Sequence, residues 1–195
     1  AALAMDDTAL AVIYGNDYLV YFPDSTQAWR YLGDARTRED NTNLALDAYT
    51  NGIQRDSDNA QVALAYANRA NVYVNEGRPA LAESDLNNAL ERRENLQFRA
   101  QRMRIAFTIG DYETALSDAE TLLGSGVIPD EEALLMQARV GIKTAESDAD
   151  YTTALNLLNT LGSTLPSNLI PVAEEYRARA HFDLGDMDSA LTAIQ

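Results

Sequence analysis

The sequence holds no cysteine, one histidine, one tryptophan and, among 15 basic residues, one lysine, Lys143. Without cysteine there is no disulfide, no thiolate metal ligand and no cysteine nucleophile, and the redox compartment is left open. His181 stands alone between Ala180 and Phe182. A two-histidine metal site is thereby excluded, and no partner for triad or acid–base chemistry is visible. Basic charge is scarce: 15 Lys and Arg face 30 Asp and Glu, a net charge of −15. The one local basic excess, over residues 91–104, is interleaved with Glu91 and Glu94. Nucleic acid is therefore not an expected partner, since phosphate binding needs clustered Lys and Arg. A long hydrophobic run is also missing. The longest, residues 9–22, is broken by Gly15, Asn16 and Asp17, so no membrane insertion is expected. No basic segment leading into an apolar core follows Ala1, and no compartment is assigned. With 10 Gly, 5 Pro and 46% hydrophobic residues, the composition is that of a folded, water-soluble chain.

What the sequence does hold is a helical hairpin, most clearly at Ala65–Leu90. Tyr66, Ala70, Tyr73 and Val74 recur at helical spacing, Gly77 breaks the run, and Ala82, Leu86, Ala89 and Leu90 resume it. The turn Gly77–Ala82 is echoed by Gly110–Ala115, Ala149–Ala154 and Gly185–Ala190, usually with an acid placed to cap the following helix. Ala45, Ala82, Ala115, Ala154 and Ala190 are separated by 37, 33, 39 and 36 residues. Such a period marks stacked helical repeats.

In Trp29, Leu32, Gly33, Ala45, Tyr49 and Gly52, and again in Tyr66, Ala70, Tyr73, Gly77, Ala82, Leu86 and Ala89, the chain resembles the tetratricopeptide repeat family. The resemblance implies an all-α right-handed superhelix, a solenoid of helical hairpins. It divides the chain into a partial repeat at 1–24 (second helix only), whole repeats at 26–59, 63–95, 96–129 and 131–165, and a truncated repeat at 171–195. Both ends look cut within a repeat, so the expectation is a longer natural protein, with homo-oligomerisation through an exposed end as a consequence. Departures from the family pattern are Asp40 in place of a turn glycine, Arg99 and Met103 in the third repeat, and extra residues around 144–147 in the fourth. The small repeat residues allow close helix approach, with Tyr49, Tyr66, Leu86, Leu158 and Trp29 expected to fill the core.

In this family the first helices line a concave groove, and the residue after the small packing position points into it. Those residues here are Asp34, Asn71, Arg104, Arg139 and Arg179. Arg179 has acids three or four residues away at Glu175 and Asp183, whereas Arg104 and Arg139 have none at those distances. The groove expected to bind a partner comprises Arg30, Asn68, Asn71, Arg104, Phe107, Arg139, Lys143 and Arg179, with Ile142 and Phe182 adding apolar contact. The family's clamp for a chaperone carboxylate terminus is not expected: of Arg30, Asp34, Asn68, Gln97 and Gln101 at its positions, only Asn68 fits fully. Glu146, Asp148 and Asp150 loosely suggest a calcium loop, but Tyr151 and Leu157 stand where its glycine and closing glutamate belong. Asp150 reads instead as an N-cap for a helix starting at Tyr151. The expected function is a non-enzymatic scaffold without cofactor or metal, binding an extended peptide or partner helix that bears acidic groups. The alternative is a self-assembly module or a regulatory domain of a longer multidomain protein.

Overall fold

The structure, a computed structural model, describes residues 8–56 and 58–193. Among these residues eleven α-helices follow one another, with no strand. They are α1 (Thr8–Tyr21), α2 (Thr26–Arg38), α3 (Thr42–Arg55), α4 (Asn59–Asn75), α5 (Pro79–Arg92), α6 (Leu96–Ile109), α7 (Tyr112–Leu122), α8 (Asp130–Lys143), α9 (Asp148–Leu161), α10 (Ile170–Asp183) and α11 (Met187–Ala193). The chain forms two compact units, Ala1–Gln101 and Arg102–Gln195, divided within α6. In the first unit each helix from α1 to α5 packs on the next, and α2 also meets α4. In the second, α7 packs on α8, α8 on α9, α9 on α10 and α10 on α11, while α8 also meets α10. Contact between alternate as well as successive helices is how helical hairpins stack.

Local chemistry sets the helix limits. Ser25 caps α2 by accepting from the Ala28 N–H at 3.2 Å, Asp58 caps α4 through the Ala60 and Gln61 N–H groups, and Asp111 caps α7 through Thr114. Pro79 and Pro171 open α5 and α10, where a missing N–H does no harm. Gly77, Gly110 and Gly185 turn the chain with φ of +68°, +85° and +79°; Asp40 takes the same left-handed conformation at φ 55° between α2 and α3. One expectation shifts here. Helix α9 begins at Asp148, not Tyr151, because Ser147 is the N-cap and Asp150 closes a capping box, accepting from the Ser147 and Glu146 N–H groups at 2.9 and 3.1 Å. The Ser147 hydroxyl, then the Glu146 N–H, hold the Asp150 carboxyl below its ordinary value. Helix α1 is described only from Thr8, so the start of the expected partial repeat, residues 1–7, lies outside the described residues, as does Ser57.

The spaced alanines Ala45, Ala82, Ala115, Ala154 and Ala190 are all buried, and Tyr49, Leu86 and Leu158 fill the space that they leave. Tyr66 and Trp29 are only half-buried. Trp29 packs on the α1–α2 core while its Nε1 donates to the Pro23 carbonyl at 2.8 Å, so one end of the ring stays at the loop. Helix α1 carries apolar residues on its exposed side as well as its buried one: Val12 and Leu19 are buried, whereas Tyr14, Val20 and Tyr21 are 58%, 76% and 78% exposed. No helix among the described residues is long and apolar enough to cross a membrane.

Candidate functional site

Five of the eight candidate residues fall into two clusters, one in each unit. In the first unit Arg30 and Asn68 converge on Asp34. The Arg30 Nη1 donates to Asp34 at 3.0 Å, the Asn68 Nδ2 at 2.7 Å and the Tyr49 hydroxyl at 2.8 Å, while the Arg30 Nε donates to Gln61 at 3.1 Å. This network ties α2, α3 and α4 together and uses the hydrogen-bonding groups that a ligand would need. Asn71 is exposed, and its side-chain carbonyl accepts from Gln101 at 3.5 Å.

Burial and then the Asp34 charge push the Tyr49 phenol above its ordinary value of 10.0. Below pH 10 the folded and unfolded chains both keep the phenol proton, and the contribution is fully present. Above it the unfolded chain releases the proton first, so stability falls as pH rises. Urea unfolding at about pH 9 and about pH 11 should show this loss in the native chain and a smaller one in Tyr49→Phe. Equal pH dependence in the two proteins would contradict the assignment.

In the second unit Phe107 on α6, Arg139 and Lys143 on α8, and Tyr176 on α10 come together. The Arg139 guanidinium lies 4.0 Å from the Phe107 ring centroid and 5.2 Å from that of Tyr176. The two rings meet edge to face, 6.2 Å apart at 64°, and Phe107 also contacts Tyr112 at 5.5 Å. The Lys143 Nζ lies 6.0 Å from the Tyr176 ring, one helical turn beyond Arg139. The Arg139 Nε is buried without a hydrogen-bond acceptor. No acid among the described residues pairs with Arg139 or Lys143, although most arginines of the chain are paired. Arg78 and Arg93 also lack an acid, but both are exposed; Arg139 and Lys143 are half-buried. A cation withdrawn from water and left without an anion is the polar feature here that asks for a partner.

The other candidates in this unit are placed differently. Arg104 donates from Nε to Glu132 on α8 at 2.7 Å, an inter-helix pair that its own helix could not supply. Arg179 lies 3.9 Å from Asp183, one turn away, and is largely exposed. Ile142 is buried in the core and offers nothing to a ligand, whereas Phe182 is 58% exposed. Tyr176 was not anticipated. Its position three residues before Arg179 on one helix face is the signal that could have marked it.

The sequence reading also missed two buried ion pairs. Arg69 grips Asp85 with Nε and Nη2 at 2.8 and 2.7 Å, and Arg102 grips Asp118 in the same way, at 2.8 Å for both bonds. Burial would lower the Arg69 pKa, but the hydrogen bonds and charge of Asp85 outweigh it and raise the guanidinium above its usual value. Each pair spans 16 residues, and the two pairs are 33 residues apart, one repeat period. An arginine just before the small packing position and an aspartate three residues after the repeat alanine are the pattern. Among the described residues no group of three or more His, Asp or Glu side chains could hold a metal ion.

No family model and no curated protein matches the chain. Solved structures do. A tetratricopeptide repeat protein from Parabacteroides merdae superposes with a TM-score of 0.72 at 20% identity, over 98% of this chain and 73% of that one. YrrB, a tetratricopeptide protein with an unusual peptide-binding site, gives 0.72 at 16% identity, over 92% of this chain and 88% of its own. PilF of Pseudomonas aeruginosa gives 0.65 at 18% identity, over 98% of this chain and 83% of that one. With the stacked hairpins and the buried repeat alanines, these likenesses establish the fold: the chain is an all-α solenoid of the tetratricopeptide repeat type.

Proposed function

We propose that this chain is a non-enzymatic protein-interaction module, and that the face carrying Phe107, Arg139, Lys143 and Tyr176 holds an acidic stretch of a partner, either an extended peptide or a helix. The observation that carries the reading is the pair of half-buried cations on α8 with no acid of their own, in a chain of net charge −15. Folding placed an acid beside most arginines and left these two beside aromatic rings, whose attraction for a cation is weaker than a carboxylate's. A partner carboxylate supplies the missing charge, and the rings supply apolar contact. The peptide-binding site of YrrB, on the same fold, is in keeping with this reading.

Peptides enriched from a random display library on the immobilised protein provide the test. They should be rich in Asp and Glu, and the Arg139→Glu, Lys143→Glu double variant should weaken them by at least about tenfold, because like charges now face each other. Selected peptides without acids, or unchanged affinity of the double variant, would refute the reading.

Self-association is the second reading, and the exposed apolar residues of α1 favour it: Tyr14, Val20 and Tyr21 are each more than half exposed on one short helix. Under this reading sedimentation equilibrium should find a dimer that Tyr14→Glu with Tyr21→Glu dissolves. A native chain that is monomeric at every concentration rules it out.

A further inference from the structure

We infer that Arg139 is the specificity-determining contact of the second-unit face, that the group it takes is a carboxylate of a partner Asp or Glu, and that Phe107 and Tyr176 are positioning residues that make a lysine unable to replace it. The inference rests on the reading of that face as a binding surface and adds what the surface selects. The Phe107 and Tyr176 rings stand at 64° to each other, forming a corner, and the Arg139 guanidinium sits 4.0 and 5.2 Å from their centroids. Two sides of the guanidinium are therefore taken by rings, and its Nε is enclosed without an acceptor. What remains for a ligand is the terminal fork, two parallel donors whose spacing matches the two oxygens of one carboxylate.

The corner acts on this contact in two ways. Ring packing removes rotamer freedom from Arg139 before a ligand arrives, so less entropy is lost on binding. The rings also exclude water beside the charge, which strengthens attraction to an anion at contact distance. A lysine at 139 would keep the charge but lose the planar face that packs on Phe107 and the fork that grips two oxygens. Lys143, one turn along α8, adds a second positive charge without such a cradle, its Nζ being 6.0 Å from the nearest ring centroid.

The test uses the whole chain and three capped peptides: an oligoglutamate, an oligoglutamine and an oligoglutamine with one central phosphoserine. The readouts are affinity by calorimetry and the Arg139 Nε–H resonance by NMR. The expected result is that oligoglutamate alone binds and shifts that resonance. Arg139→Lys should then bind about tenfold more weakly, while Arg93→Lys, at an exposed arginine remote in sequence, binds as the native chain does. Arg139→Lys is chosen because it keeps charge and size and leaves the buried rings untouched. If oligoglutamate binds but Arg139→Lys retains full affinity, the inference fails and the reading of an acid-binding face survives. Tighter binding of the phosphoserine peptide overturns the carboxylate assignment. Equal binding of oligoglutamine, or no binding of oligoglutamate, overturns both.

Discussion

Asp118→Ala is expected to cost about 3–5 kcal/mol of stability, a large part of what a domain of this kind possesses. Asp118 is fully buried, and both its oxygens accept from Arg102, whose side chain is only 17% exposed. Truncation leaves the guanidinium in the interior without its carboxylate and without water to replace it, so the penalty is that of an uncompensated charge and not of one lost hydrogen bond. The same reasoning applies at Asp85, where Arg69 is held. Removing both partners should behave differently. Arg102→Met with Asp118→Leu deletes the charge together with its counter-charge, and the double variant should retain most of the native stability. Urea unfolding of Arg102→Met, Asp118→Leu and the double variant measures the coupling directly. A loss below about 1 kcal/mol for Asp118→Ala would mean that the pair is exchangeable for water and that the burial argument is wrong.

Gly33→Ala is the second large effect, and it runs against helix propensity. An added methyl in the middle of a helix ordinarily stabilises by about 1 kcal/mol. At Gly33 a Cβ would stand 2.5, 2.6 and 2.8 Å from three atoms of the Tyr49 ring, which is 2% exposed and anchored by its hydroxyl to Asp34 at 2.8 Å. Any retreat of the ring breaks that bond and disturbs the Arg30–Asp34–Asn68 network. The expected cost is about 1–3 kcal/mol net, seen as a lowered Tm. Gly141→Ala is the control. Its Cβ would meet only the Ala154 methyl at 3.4 Å, an ordinary contact, so this variant should be neutral or stabilised. A higher Tm for Gly33→Ala would show that Tyr49 can move freely and that the close approach of α2 and α3 is not required.

These two effects differ in how far they could be foreseen. Gly33 and Tyr49 belong to the small and large residues whose spacing already marks the hairpin, so their packing follows from the pattern. The Arg–Asp pairs do not, because a link across 16 residues joins two helices through side-chain directions that no single-helix period describes. Arg30 and Asn68 stand at groove positions by sequence, yet three donors close on the one carboxylate of Asp34, which only the crossing of α2, α3 and α4 can arrange. Asp150 was misplaced by three residues for a smaller reason: both Ser147 and Asp150 are capping residues, and a capping box uses both.

The chain itself determined the all-α hairpin array, through the roughly repeat-length spacing of buried alanines, the left-handed turn residues and the helix caps. Periodicity is local, and local order is what a one-dimensional pattern records. Which cations remained unpaired was decided only in three dimensions. Arg104 and Arg139 look alike in sequence, each without an acid three or four residues away on its own helix. In the folded chain Arg104 reaches Glu132 on another helix, while Arg139 meets Phe107 and Tyr176 from two others. The difference is physical: ion pairing between helices depends on the direction and distance of side chains brought together by packing, and neither is written along the chain.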